Sequence, residues 1–232
     1  MLDKKKSFSW SWSKLKNYRS CPKRHWHVDL AKDFKEDESE ALRWGNQVHD
    51  ALARRVIKGV ELPPTMQRYD DWPQRIRACA DAGLELKVEN KLAMDDQFRP
   101  ASFFDNGAWF RCVIDVLGIL PAHTRSAFTI DWKTGNKVQP EFEQLALSSQ
   151  VLFSHYPNLD AVLAIYVWLG HDTQSTKIYE RDKMQPIWAD ILPEVAKMKK
   201  AADELNYPPI PSGLCKNWCP VKSCPHHGVG SR

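Results

Sequence analysis

The sequence predicts an α/β protein: a central mixed β-sheet flanked by helices, with a helical, cysteine-stapled cap formed from both termini. Three observations carry this. Strand-like segments rich in valine, isoleucine and aromatics occupy the middle of the chain, helical periodicities lie on both sides of them, and four cysteines sit in turn-like surroundings at the two ends. The 232 residues suffice for one domain with a sizeable core. We expect a single domain over residues 1–232, its core at about 39–182, with 1–38 and 183–232 forming the cap.

The elements follow in order. Ser9 and Ser11 are N-cap candidates for a helix that places Trp12, Leu15 and Tyr18 at helical spacing before Pro22 stops it. Val48, Leu52 and Val56 recur every four residues, and Gly59 follows as a C-cap, so a second helix is expected from Ser39 to Lys58. A third amphipathic segment covers Trp72 to Leu84. Leu86 to Met94 alternates, Ala108 to Leu120 is β-branched and aromatic, and Ala127 to Trp132 is a further short strand. The connection from Pro121 to Ser126 suits a hairpin between the last two. Glu141 to Leu152 reads as a helix, Leu159 to Leu169 as a buried strand, and Thr176 to Tyr179 as a short edge strand. A long helix from Lys183 to Leu205 leads into a proline-rich break and the cysteine-rich tail.

Composition excludes several classes. No apolar run approaches the roughly 20 residues of a membrane-spanning helix, so no membrane partner is expected. The basic start, Met1 to Ser7, is followed by no apolar signal region, which points to a cytoplasmic protein. The net charge of +4 is mild, but basic clusters at Lys4–Lys6, Lys14–Arg24 and Lys197–Lys200 permit a polyanionic partner. Each cluster could equally be a solvated face. Six cysteines in a cytosolic chain favour metal binding or buried thiols over disulfides. Cys79 and Cys112, in regular segments, are expected to be core thiols.

The chemistry concentrates in Arg111-Cys-Val-Ile-Asp115 and Phe128-Thr-Ile-Asp131-Trp-Lys133-Thr-Gly135. Asp115 interrupts an apolar strand, and the two-residue period of a strand puts Asp131 and Lys133 on one face. If the strands form a hairpin, Asp115 approaches that face. Two carboxylates and a lysine make a hard, oxygen-rich site suited to Mg²⁺ or Mn²⁺, able to activate water and offset charge on a phosphoryl oxygen. Without further motifs, a surface ion pair between Asp131 and Lys133 would explain the same residues.

Further motifs are present. Gly45-Asn-Gln-Val-His49 lies upstream, Gln144-Leu145 downstream, and the N-terminus reads Ser11-Trp-Ser-Lys-Leu15-Lys-Asn-Tyr18-Arg-Ser-Cys21-Pro22. Taken with Asp115 and the Asp131-Trp-Lys133-Thr134-Gly135 run, these five motifs in this order resemble the PD-(D/E)xK nuclease superfamily, in particular its RecB-like and Cas4-like exonuclease branch. The resemblance spans Ser9 to Gln150, and the whole chain if the cysteines are included. It implies a restriction-endonuclease-like core and a metal-dependent DNA nuclease, more readily an exonuclease than an endonuclease, working in recombination, repair or processing on single-stranded or duplex ends. It implies His49, Asp115, Asp131 and the Trp132 carbonyl as metal ligands, Lys133 as the lysine that positions the attacking water, and Gln144 as a residue holding Lys133 or the scissile phosphate. One departure stands out: the branch usually carries Gln-Leu-x-x-Tyr, and Ser148 occupies the tyrosine position. Glu89, on the preceding strand, is either a carboxylate standing behind the ligands or a solvated strand residue.

Cys215, Cys219 and Cys224 fall within ten residues, and Cys21 lies in a similar Cys-Pro setting at the other end. Four thiolates suit a [4Fe–4S] cluster or a structural zinc. The family resemblance favours iron–sulfur, since relatives staple their ends with one early and three late cysteines. Zinc could use the same thiols, or take His226 or His227 in place of Cys21, and Cys21 could simply pack in a core. Ten tryptophans, with Trp10, Trp12, Trp26, Trp44 and Trp132 in or near the motifs, raise the further expectation of stacking on unpaired bases; a core role is the alternative for each. Two rival functions stay open: a catalytically degenerate DNA-binding module whose metal site serves only structure, and a redox or metal sensor centred on the cysteines.

Overall fold

The computed structural model describes residues 7–35 and 39–229, so the basic run Lys4–Lys6 and the start of the chain lie outside the described residues. Contacts divide the chain into two compact units, Ser39–Ile187 and the combination of Met1–Glu38 with Trp188–Arg232.

The larger unit is built on a six-stranded sheet. Its strands are β1 (Glu85–Met94), β2 (Pro100–Ala101), β3 (Phe110–Ile119), β4 (Ser126–Lys133), β5 (Ala161–Trp168) and β6 (Thr173–Glu180). They lie in the order β2-β1-β3-β4-β5-β6. Every neighbouring pair is antiparallel except β4 with β5, which run parallel. That one parallel pair requires a crossover, supplied by the helix Phe142–His155. The sheet is therefore mixed and flanked by helices, as the sequence predicts. The expected edge strand is twice the expected length, since β6 pairs β5 along its full eight residues.

Helix Glu40–Lys58 begins where Ser39 Oγ accepts the Leu42 N–H at 3.1 Å and ends where Gly59 turns left-handed at φ 68°. Val48, Leu52 and Val56 on this helix, with Ile76 from the helix Asp71–Asp81, pack against Val116, Ile130, Trp132, Ile165 and Val167 of the sheet. Burying each such side chain contributes roughly 1.5–3 kcal/mol. The crossover helix buries Leu145, Val151 and Leu152. In a regular strand Cys112 and Val116 would share a face. Instead Val116 packs under the Glu40–Lys58 helix while the Cys112 thiol bonds Ser148 of the crossover helix. The strand changes face between them, at Asp115. Burial pushes the Cys112 thiol up to about 12, so it stays protonated.

Gly118 of β3 pairs Phe128 of β4. A Cβ there would lie 2.2 Å from the Phe128 ring, so the glycine makes room for the aromatic side chain across the hairpin.

The smaller unit holds α1 (Trp12–Ser20), α2 (Pro22–His25), a π-helical turn (Trp26–Ala31), most of the helix Gln185–Glu204 and the short helix Leu214–Asn217. Ser11 caps α1, accepting the Lys14 N–H. Pro22 ends that helix but also opens the next, where its missing N–H costs nothing. Arg19 grips Glu194 through two bonds of 2.6 and 3.0 Å, and the Tyr18 hydroxyl donates to the Lys197 carbonyl, fastening α1 to the helix Gln185–Glu204.

Cys79 is exposed rather than a core thiol, because the covered stripe of its helix runs through Pro73, Ile76, Arg77 and Ala80 and Cys79 falls beside it. Trp10 and Trp132 are buried in cores and cannot stack on bases; Trp26 lies against Tyr207, and Trp12 under the Arg19 guanidinium. Among the described residues no helix is long and apolar enough to cross a membrane.

Candidate metal centre

The centre forms where the β3–β4 ladder stops. Pairing runs from Ile119↔Ala127 to Val116↔Ile130 and no further. The next residue of β3, Asp115, replaces the ladder with its side chain: Oδ2 accepts the Trp132 N–H at 2.8 Å. The carboxylate is thereby fixed by the strand beside it.

On the other side of β3 lies β1. The pairs Val88↔Val116 and Asn90↔Ile114 place Glu89 opposite Asp115. Glu89 adopts φ 51°, a left-handed conformation inside a strand. For a residue with a Cβ this costs of order 1–3 kcal/mol and persists only where the surroundings impose it. The distortion coincides with the change of face at Asp115.

Helix Glu40–Lys58 supplies His49. Its Nε2 lies 3.0 Å from the Trp132 carbonyl oxygen and its Nδ1 3.3 Å from Asp115 Oδ2. Both neighbours are acceptors, which favours a proton on each ring nitrogen. Burial pulls the His49 pKa down, but the bond to Asp115 and the charges of Asp115, Asp131 and Glu89 outweigh it, and the net movement is upward. Ligand atoms of His49, Glu89 and Asp115 all lie within 4.8 Å of one another. An imidazole and two carboxylates beside a backbone carbonyl form a donor set that fits a hard divalent cation. Burial, then the charge of Asp115, raises the Glu89 carboxyl, so two carboxyl groups crowd one point.

Asp131 and Lys133 lie on one face, as the strand period requires, and face the crossover helix. Lys133 Nζ stands 2.8 Å from Asp131 Oδ1, and Gln144 Nε2 donates to Asp131 Oδ2 at 2.7 Å. Gln144 Oε1 receives Lys133 Nζ at 3.3 Å. Burial pushes the Asp131 carboxyl up to about 6, against the opposing pull of Lys133. Asp131 stands outside the His49–Glu89–Asp115 set, engaged with its own lysine and amide. Thus His49, Asp115, Trp132, Asp131, Lys133 and Gln144 all converge on the end of β4. Sequence reasoning undervalued Glu89, whose signal was an acid inside an alternating strand. It missed Tyr166, which nothing in the apolar run of β5 singles out.

The four terminal cysteines also come together. Cys21, Cys215, Cys219 and Cys224 line one small cavity of about 20 Å³ with Ile210, Val221 and His226. Cys21 Sγ accepts the Ile210 N–H and Cys215 Sγ the Ser212 N–H, each at 3.4 Å.

A histidine, carboxylates and a lysine thus gather at the interrupted strands of a mixed sheet, a set able to hold a divalent cation beside a fixed positive charge. The chain belongs to the PD-(D/E)XK nuclease superfamily, whose profile matches residues 9–225. Among solved structures, it is similar to a protein provisionally called an exonuclease, from Eubacterium rectale. That alignment has a TM-score of 0.58 at 11% identity and covers 97% of this chain and 90% of the other. At that identity the likeness concerns the fold alone. The crystal structure of SSO0001 aligns less well, with a TM-score of 0.43, 12% identity and coverage of 96% and 89%, and carries no argument. No curated protein matches by sequence.

Proposed function

We propose that the chain is a Mg²⁺- or Mn²⁺-dependent deoxyribonuclease, and within that class an exonuclease acting on DNA ends in recombination, repair or processing. One observation carries the reading: His49 and Asp115 meet at the Trp132 peptide while Asp131 and Lys133 project from the residues on either side of it. A surface ion pair would need neither His49 nor Asp115.

His49, Asp115, Asp131 and the Trp132 carbonyl would hold the ion, with Glu89 completing the acidic set. When bound, the ion supplies Lewis acidity towards a phosphoryl oxygen and lowers the pKa of water. The chain's own groups do the rest. As a ligand His49 would present an unprotonated ring nitrogen. Lys133, 2.8 Å from Asp131, would bring a positive charge to the attacking water and to the phosphate as its charge grows. Gln144 bridges Asp131 and Lys133 and keeps both within reach.

The cysteines fit the same reading. Cys21, Cys215, Cys219 and Cys224 line one cavity, and in this reading their four thiols hold a [4Fe–4S] cluster, with a structural zinc as the alternative. In this reading the protein works as a single nuclease domain whose chemistry resides in Ser39–Ile187 and whose terminal unit carries the cluster.

The test is cleavage of end-labelled linear and circular DNA, single- and double-stranded, with Mg²⁺, with Mn²⁺ and with EDTA, beside Lys133→Ala. Metal-dependent cutting that is lost in the variant supports a nuclease, and sparing of circles makes it an exonuclease. Folded protein that binds DNA but cuts with neither metal would make it a binding module instead.

A further inference from the structure

Tyr166 lies on β5 beside Asp131 in the parallel pair and is fully buried. Its hydroxyl has one proton, shared between two acceptors, the Glu141 carbonyl at 2.8 Å and Gln144 Oε1 at 3.1 Å. Its ring lies under the Lys133 ammonium, with Nζ 4.7 Å from the centroid, a geometry that attracts a cation to the ring face. One side chain therefore touches both partners of Asp131.

An amide has two ends of opposite character, and its neighbours decide which way it points. Around Gln144 the donors are the Tyr166 hydroxyl and the Lys133 ammonium, and both address Oε1. Nε2 must then face Asp131 Oδ2, where it is found at 2.7 Å. Lys133 alone would hold this orientation only while it stays in place. The crossover helix offers no replacement, because Ser148, one turn after Gln144, spends its hydroxyl on the Gln144 carbonyl. Burial holds the Tyr166 hydroxyl protonated far above its ordinary range, so it remains a donor.

We propose that Tyr166 is a positioning residue of the centre: its hydroxyl sets which end of the Gln144 amide meets Asp131, and its ring sets where the Lys133 ammonium rests. The inference rests on the nuclease reading above. It predicts that Lys133 can leave Asp131 during the reaction without Gln144 turning over, because the Tyr166 hydroxyl keeps Oε1 occupied.

The experiment compares Tyr166→Phe, Tyr166→Leu, Gln144→Ala and the Tyr166→Phe/Gln144→Ala double variant, with wild type and Lys133→Ala as references. Steady-state cleavage should show kcat reduced about tenfold in Tyr166→Phe with KM for DNA unchanged, the size expected when a group that orients a site residue is lost. Tyr166→Leu, which also removes the ring, should fall further. In the double variant the loss should equal that of Gln144→Ala alone, since a residue acting through Gln144 has nothing left to act on. A second readout needs no activity. In the metal-free protein, the Gln144 side-chain amide resonances, assigned by their disappearance in Gln144→Ala, should shift and exchange faster in Tyr166→Phe. If Tyr166→Leu does not fold, Tyr166→Phe, which keeps the ring contacts, carries the test. Wild-type kcat in Tyr166→Phe, additive losses in the double variant, or unmoved Gln144 resonances would each overturn the proposal. If wild type cuts no DNA, it is the nuclease reading that fails, and the resonances alone decide whether Tyr166 orients the amide.

Discussion

Gly45 and Thr134 meet across the centre: a Cβ on Gly45 would stand 3.2 Å from Thr134 Oγ1. Gly45 belongs to the helix that carries His49 one turn later, and Thr134 follows Lys133 at the end of β4. The missing side chain lets the helix approach the strand end closely enough for His49 to reach the Trp132 carbonyl. Two motifs far apart in sequence are thus the two sides of one contact.

Replacing Gly45 separates helix stability from site geometry. Alanine would ordinarily stabilise a helix interior by roughly 0.5–1 kcal/mol over glycine. Here Gly45→Ala should leave the melting temperature little changed, because the gain is offset against Thr134. Gly45→Leu should push the helix outward and weaken Mn²⁺ binding strongly, as measured by calorimetry. Undiminished Mn²⁺ affinity in Gly45→Leu would mean that the close approach is unnecessary.

Asp115 has two duties, and two substitutions divide them. Asp115→Ala orphans the Trp132 N–H and should cost about 1–3 kcal/mol in chemical denaturation. Asp115→Asn keeps an oxygen for that N–H and should be nearly as stable as wild type. Both should abolish metal-dependent cleavage. Equal stability of the two variants would remove the structural duty.

The raised Asp131 pKa gives a signed pH dependence. A carboxyl lifted from 3.8 to about 6 contributes stability that is fully present below 3.8 and is lost as pH rises through about 6. At neutral pH the metal-free protein therefore holds a disfavoured charge, which a divalent ion relieves. Added Mn²⁺ should raise the melting temperature at neutral pH and do little in acid. His49 acts in the same direction, since its raised pKa sets a proton against the metal. Removing a positive neighbour in Lys133→Met should move the acid limb of Mn²⁺ binding to higher pH. A limb that stays where it was would place the titration elsewhere.

Gly118 tests the hairpin that delivers Asp115. Gly118→Ala would drive a methyl into the Phe128 ring. Overpacking of this kind costs about 1–3 kcal/mol. Thermal melts should show the loss, and Phe128→Leu in the same chain should recover part of it. A Gly118→Ala protein as stable as wild type would show that the ring moves aside freely.

The cysteines make a compositional prediction. Protein purified without oxygen should contain iron and acid-labile sulfide in equal amounts, and Cys219→Ser should lose both and melt at lower temperature, because metal binding contributes directly to folding. Mn²⁺ binding at His49 and Asp115 should survive. Zinc in place of iron would overturn the cluster.

Much of this was legible in the sequence because it rests on local periodicities. Ser39 and Gly59 bracket the His49 helix, and the spacing of Asp131 and Lys133 fixed their common face before any partner strand was known. What escaped depends on non-local pairing. Glu89 gains its role only because β1 registers against β3 with Asp115 opposite it and a left-handed residue at that point. Tyr166 gains its role only from the parallel register with Asp131, and a tyrosine in an apolar strand carries no mark of that. The exposure of Cys79 was missed for a related reason: its helix is regular, but which way it faces is decided by what it packs on.

The single parallel pair has a consequence for how the protein comes into being. Asp115 and Asp131 join through a short hairpin, but Asp131 meets Tyr166 only after the crossover helix has been made and β5 has docked beside β4. Contacts of that separation form late in folding. A growing chain leaving the ribosome would thus carry its carboxylates before Tyr166 and Gln144 are in place around Asp131. Synthesis order alone then withholds the complete centre until the last strands of the sheet have docked.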